Sequence, residues 1–203
     1  IDVEGVSFWC ACMPFPVPEG EVEQMTACNM LSQKDTQTMA AHKGFLVVGS
    51  KLLFTLEKKR EVCLLFNRLC GGILKLEEAV GMYMGGAGLL IGKERYFRQL
   101  EVIYSQGREK DYFPVPLWIR LFLYQEKGRK NAQTSGLREF GFPEVCLYDT
   151  SLPPEEVIPR LYFIAMEEIT GQTMYQDKDL IRLEDGREAV CKQEGEILYI
   201  IGT

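Results

Sequence analysis

The chain carries a single histidine, His42, and that count limits its chemistry. A Ser-His-Asp or Cys-His site would have to use it, and a zinc site could draw at most one imidazole. No serine lies in the G-x-S-x-G pattern of a nucleophile elbow. The seven cysteines, at 10, 12, 28, 63, 70, 146 and 191, sit mostly in apolar stretches without a C-x-x-C pair. They read as reduced, buried thiols, with no metal expected. The carboxylate pairs Glu77-Glu78, Glu155-Glu156 and Glu167-Glu168 are sequence neighbours. On a helix the two members of each pair diverge by about 100°, so solvated surface is the expectation rather than one shared substrate. His42 precedes an apolar run, where a capping or hydrogen-bonded imidazole is expected before a ligand contact.

A glycine-rich run, Gly85-Gly86-Ala87-Gly88, stands between a strand-like segment and a helix, where a nucleotide loop would lie. Its spacing fails both fingerprints. Ile91 occupies the place of the third glycine of G-x-G-x-x-G, and Gly88 to Gly92-Lys93 is one residue short of a phosphate loop, with Glu94 in place of the Mg-binding hydroxyl. A tight structural turn is expected there, with an anion cradled by backbone N–H groups as the alternative. No cofactor is expected.

The elements that must position these residues alternate along the chain. Strands are expected at 6–13, 44–48, 79–84, 117–124 and 144–148, those at 44–48 and 79–84 buried. Helices are expected at 52–70, 93–105 and 155–170, with a weaker one at 19–31. Gly71-Gly72 is placed as the cap of the first, and Gly171 closes the last, whose first turn holds Pro153 and Pro154. Pro159 either kinks that helix or moves its start later. Ser135 to Phe140 reads as a single helical turn, and 180–201 as a β-meander with turns at Asp185-Gly186 and Glu194-Gly195. The core list comprises Phe66, Leu69, Tyr96, Leu100, Leu137, Phe140 and Leu161, with Trp9 and Trp118 also packed inside. The reading is one α+β domain over 1–203, a mixed or mainly antiparallel sheet against three main helices, with the charged break near Gly107 to Asp111 inside it.

Hydrophobic residues make up 46% and charged ones 26%, which is enough apolar material for a real core. The net charge of −6 argues against non-specific nucleic-acid binding, which needs a basic stripe to displace counterions. The run Lys127-Gly128-Arg129-Lys130 reads as a solvated hairpin tip. No apolar run is long enough to span a bilayer, and no signal peptide is visible, so a cytoplasmic protein that does not enter the membrane is expected.

Four stretches in order resemble a bacterial family catalogued as domain of unknown function 4261. They are Met13-Pro14-Phe15-Pro16-Val17-Pro18, Ala41-His42-Lys43-Gly44-Phe45-Leu46-Val47-Val48, Pro114-Val115-Pro116-Leu117-Trp118-Ile119, and Thr134 to Val145, which is like T-x-G-L-x-x-F-G-x-P-E-h. Together they span about 13–170. The helical stretch 29–39 lacks the aromatic residues of the family, and Gly44 replaces a small alanine. The resemblance implies a bacterial, cytoplasmic protein and no particular activity.

A non-enzymatic binding or interaction module, of the kind that immunity proteins represent and with another protein as partner, is the function expected. A small carboxylate-dependent hydrolase or transferase, with His42 or Lys43 as auxiliary, is the alternative. The residues placed at a binding site are His42 and Lys43, at the mouth of a strand, with Trp118 and Arg120, which share parity on theirs. An aromatic ring beside a guanidinium is the pairing that dominates binding hot spots.

Overall fold

Strand β2 (Val6–Met13) ends where Pro14, Pro16 and Pro18 withdraw backbone donors from any ladder. In the computed structural model, which describes residues 1–29, 31–50, 55–104, 113–182, 186 and 188–202, the chain is a mixture of helices and mostly antiparallel sheets. It divides into two compact units, Ile1–Met84 with Leu89–Glu109, and Gly85–Gly88 with Lys110–Thr203. The five strands expected to share a core are distributed over three sheets. The expected helix start at Leu52, the end at Ser105, the break at Gly107 to Asp111 and the turn residue Asp185 lie outside the described residues.

In the first unit, β1 (Asp2–Val3), β2 and β3 (Phe45–Ser50) form an antiparallel sheet in that order. Helices α1 (Glu21–Cys28) and α2 (Gln33–Ala40) lie between β2 and β3 in sequence, and the Ser32 hydroxyl caps α2 by accepting from the Asp35 N–H at 3.0 Å. Helix α3 (Leu56–Leu74) begins at Thr55 and buries Val62 and Leu65 with Val6 and Phe8 of β2. Phe66 and Leu69 pack at the margin of that cluster, half-buried rather than sealed. β3 is half-buried too, and Trp9 is 51% exposed, not in the core. Its indole lies across Gly49, the cross-strand partner, where a Cβ would meet the ring at 2.5 Å.

Gly71 and Gly72 do not cap α3, which runs through them to Leu74. Gly71 is buried, and a Cβ there would lie 2.9 Å from Leu100 of α4 (Lys93–Tyr104), so the small residue serves close helix packing. Tyr96 of α4 is sealed and donates to the Asn67 carbonyl at 3.0 Å. The expected strand 79–84 is β4 (Gly81–Met84), half-buried, and it pairs with β5 (Leu89–Gly92), a short buried strand that the glycine pattern hid.

The second unit holds a six-stranded sheet of β6 (Arg120–Glu126), β7 (Arg129–Ser135), β8 (Glu144–Tyr148), β9 (Leu180–Arg182), β10 (Glu188–Glu194) and β11 (Ile197–Ile201). Its order is β6-β7-β8-β11-β10-β9, antiparallel except where β11 lies parallel to β8. The C-terminal meander therefore completes the main sheet. Lys127 and Gly128 both have positive φ, as a two-residue hairpin turn matched to strand twist requires, and they join β6 to β7. Helix α5 (Pro154–Thr170) starts at its second proline, tolerates Pro159 and ends at left-handed Gly171. It packs across β7 and β8, where the buried residues Ala132, Val145 and Leu147 alternate inward. Leu198 and Ile200 of β11 continue that buried row. The other parity carries the half-buried aromatics Phe122, Tyr124, Tyr148 and Tyr199. Among the described residues, no helix is long and apolar enough to cross a membrane.

Cys10, Cys12, Cys63, Cys70, Cys146 and Cys191 are free. Thiol titration of the denatured, non-reduced protein should therefore count all seven cysteines of the chain. A count lower by two would reveal a disulfide and overturn the free-thiol assignment.

Candidate functional site

His42 is fully engaged. Its Nδ1 lies 2.8 Å from the Met39 carbonyl and its Nε2 accepts from the Val17 N–H at 2.8 Å. The carbonyl can only accept, so the proton sits on Nδ1 and the ring ties the end of α2 to the proline-rich exit of β2. The capping role expected of it is the one found, and neither nitrogen is left for catalysis. Lys43, beside it in the first unit, is exposed. Trp118 and Arg120 belong to the second unit, so the four residues fall into two pairs, one in each unit. Trp118 is half-buried and packs edge-on against Phe140 and tilted against Phe113, with centroids at 6.0 Å and 6.2 Å.

The second unit has a cleft of about 520 Å³ beside the start of β6, lined by Arg120 and Phe122, by Gln133 and Ser135 of β7, and by Gly86 and Glu139. Its floor is built from one sequence segment, Thr134 to Glu144. Gly136, at φ 124°, begins a 3-10 turn, Leu137–Phe140, that buries Leu137 and Phe140 and ends at left-handed Gly141. A side chain at Gly136 would meet the Trp118 carbonyl at 2.5 Å, so only glycine fits both the angle and the space. The turn points its first N–H groups at Glu144, whose carboxylate accepts from Gly136 at 2.8 Å, Leu137 at 3.3 Å and Arg138 at 3.4 Å. The Thr134 hydroxyl donates to the same carboxylate at 2.7 Å and accepts from the Val145 N–H at 2.8 Å. These amides form a backbone anion cradle, at Gly136 to Arg138 rather than at the glycine run, and a carboxylate of the chain itself fills it. Glu144 was not among the expected site residues. The signal for it was the ten-residue spacing from Thr134 through two turn glycines.

Above the floor, Arg138 pairs with Glu196 and reaches Glu144 at 4.0 Å. Arg120 has no ion-pair partner among the described residues. Its guanidinium lies 5.1 Å from the Phe122 ring centroid, and its Nε is sealed from solvent without a hydrogen-bond acceptor. The 3-10 turn Gly85–Ala87 and Gly88 form a wall. A Cβ at Gly88 would stand 3.5 Å from the Arg120 guanidinium carbon, and one at Gly86 would stand 2.5 Å from the Glu139 carboxylate. The glycine run thus serves close approach of backbone to two charged side chains.

A second carboxyl departs from expectation. Glu168, placed at the solvated surface by its sequence, is completely buried, while Glu167 beside it is half-exposed and accepts from the Tyr175 hydroxyl. Burial pushes the Glu168 carboxyl from 4.5 up to about 8, and the Glu144 charge pushes the same way, against a smaller opposing effect of the Tyr175 backbone. Cys191 is held up at about 11, first by burial and then by Asp179 and Glu168. Among the described residues no His, Cys, Asp and Glu cluster could hold a metal ion.

Two outcomes follow. Glu144→Ala should strand several buried donors and cost about 2–4 kcal/mol in chemical denaturation, whereas Glu144→Gln, which keeps an acceptor oxygen, should cost less. Equal losses would mean that the carboxylate does not organise the turn. For Glu168, the folded state binds the proton more tightly than the unfolded one. Its effect on stability is therefore nil below the ordinary carboxylate range and increasingly unfavourable as pH rises from about 4.5 to about 8. Glu168→Gln should flatten that decline, on the order of a few kcal/mol, in melts across this window. An unchanged pH profile would refute the buried, protonated carboxyl.

Compared with protein-family models, curated proteins and solved structures, the chain finds no match, and the residues of the cleft themselves carry its functional reading.

Proposed function

We propose that this protein is a non-enzymatic binding module and that the cleft at Arg120 is where it engages a carboxylate. The supporting observation is Arg120 itself. A guanidinium partly withdrawn from water, with one N–H sealed and no counter-ion among the described residues, is costly unless an anion completes it. Its planar fork matches a carboxylate in two parallel hydrogen bonds, and the Phe122 face holds it in place by cation–π attraction. Three carboxylates line the same cleft, Glu139, Glu144 and Glu196, which disfavours a dianion such as phosphate and favours a singly charged group.

A bacterial, cytoplasmic interaction protein of the immunity kind, related to the family that the four motifs resemble, fits this reading. The group recognised at the cleft would be a carboxylate, whether carried by a protein partner or by a small molecule. Of the four residues anticipated for a site, Arg120 carries the proposal. The carboxylate-dependent hydrolase is favoured by the raised Glu168 alone. That group is sealed inside, and the Glu144 oxygens are already occupied by donors, so neither is placed to move a proton to or from a substrate.

The test is a titration of acetate and benzoate into the isotope-labelled full chain. The backbone amides of Phe122, Gln133 and Gly86 should shift saturably. Arg120→Ala should abolish the shifts while leaving the melting temperature within about 2–4 °C of the parent. Shifts that persist in the variant, or none in the parent, would sink the proposal.

A further inference from the structure

We infer that the ligand of this cleft is a free α-amino acid, its carboxylate on Arg120 and its ammonium on Glu139. The inference rests on the reading of the cleft as a carboxylate site and goes beyond it by naming the molecule's second charge. It comes from accounting for the charged groups that line the cleft, which are two arginines and three glutamates. Arg138 is neutralised by its ion pair with Glu196. Glu144 is satisfied by the Thr134 hydroxyl and the N–H groups of Gly136 to Arg138. Among the described residues one cation and one anion of the lining have no ion-pair partner, Arg120 and Glu139, and they are not paired with each other.

One glycine turn stands against both groups. Gly88 faces the Arg120 guanidinium and Gly86 faces the Glu139 carboxylate. A Cβ at Gly86 would collide with Glu139 outright, so glycine leaves that carboxylate its place at the cleft. Gln133 and Ser135, half-exposed on β7, offer neutral hydrogen-bonding groups to the remainder of the molecule. The volume of about 520 Å³ accommodates an amino acid with a full side chain. A ligand with a carboxylate alone would leave the exposed Glu139 to water, and one with an ammonium alone would leave Arg120 without an anion.

Calorimetric titration of the full chain with glycine, L-serine, L-glutamine and L-phenylalanine tests this, together with the N-acetyl and carboxamide forms of the tightest binder and inorganic phosphate. At least one amino acid should bind with a dissociation constant of about 1 mM or tighter, and either blocked form should lose at least about tenfold. Glu139→Gln, an exposed and structurally mild change, should weaken the free amino acid about tenfold and leave the N-acetyl form unaffected. Arg120→Lys, which keeps the charge but not the fork, should weaken both forms. If the N-acetyl form binds as tightly as the free amino acid, or Glu139→Gln changes nothing, the zwitterion is wrong while the carboxylate reading of Arg120 stands. Tighter binding of phosphate also overturns it. If no probe binds saturably below about 10 mM, the inference and the carboxylate reading fail together.

Discussion

The second unit depends on one buried carboxylate. Glu144 begins β8, and its oxygens collect the N–H groups that open the Leu137–Phe140 turn, with the Thr134 hydroxyl completing the set. An unpaired carboxylate at that depth would be expelled or protonated, and unpaired turn amides would each cost a desolvation penalty. Each removes the other's problem. The turn is thereby locked against β7 and β8, which places Phe140 on Phe113 and Trp118 and sets Arg138 and Glu139 at the cleft. Gly136 is the hinge of this arrangement, because no other residue can take its backbone angle beneath the Trp118 carbonyl.

The cleft inherits its chemistry from that lock. With the cradle filled internally and Arg138 tied to Glu196, the charges of the lining without an ion-pair partner among the described residues are Arg120 and Glu139, each approached by a glycine of one turn. A glycine run that matches no nucleotide fingerprint therefore still has a place beside the cleft. Its job is to let backbone approach charged side chains closely. Electrostatics within the unit is graded by depth. Glu139 at the surface is open to a ligand, Glu144 is buried and compensated, and Glu168 is buried and uncompensated, so its proton is retained to about pH 8. That gradation separates a recognition role from a structural one and from a stability liability.

The first unit rests on a comparable economy of polar groups. His42 spends both ring nitrogens on backbone partners, Met39 three residues before it and Val17 twenty-five residues before it, and so pins the proline-rich exit of β2 to the end of α2. The prolines of that exit carry no N–H, and Val17 between them has one, which the imidazole accepts. The most conspicuous candidate for chemistry in the chain is therefore a fastener.

Local rules were enough for much of this. Period, capping and breaking residues located α3, α4, α5, β2, β6 and β8 to within a few residues, with the strands of the meander and its Glu194-Gly195 turn, because those signals are carried by neighbours along the chain. The helical turn at Gly136 to Gly141 and the hydrogen-bonded role of His42 were legible for the same reason, whereas Trp118, expected on one strand with Arg120, caps the 3-10 turn before β6. Tertiary structure decided the rest. It exposed Trp9 across Gly49, carried α3 through Gly71 and Gly72, buried Glu168 and paired β11 with β8, outcomes that turn on what lies opposite rather than adjacent. The site belongs to this second class. Arg120 could be nominated as a charge near an aromatic residue, but its lack of a counter-ion among the described residues, the filling of the cradle by Glu144 and the pairing of Arg138 with Glu196 exist only once segments distant in sequence are brought together. Charge type is a local property, whereas charge satisfaction depends on the surroundings that folding creates.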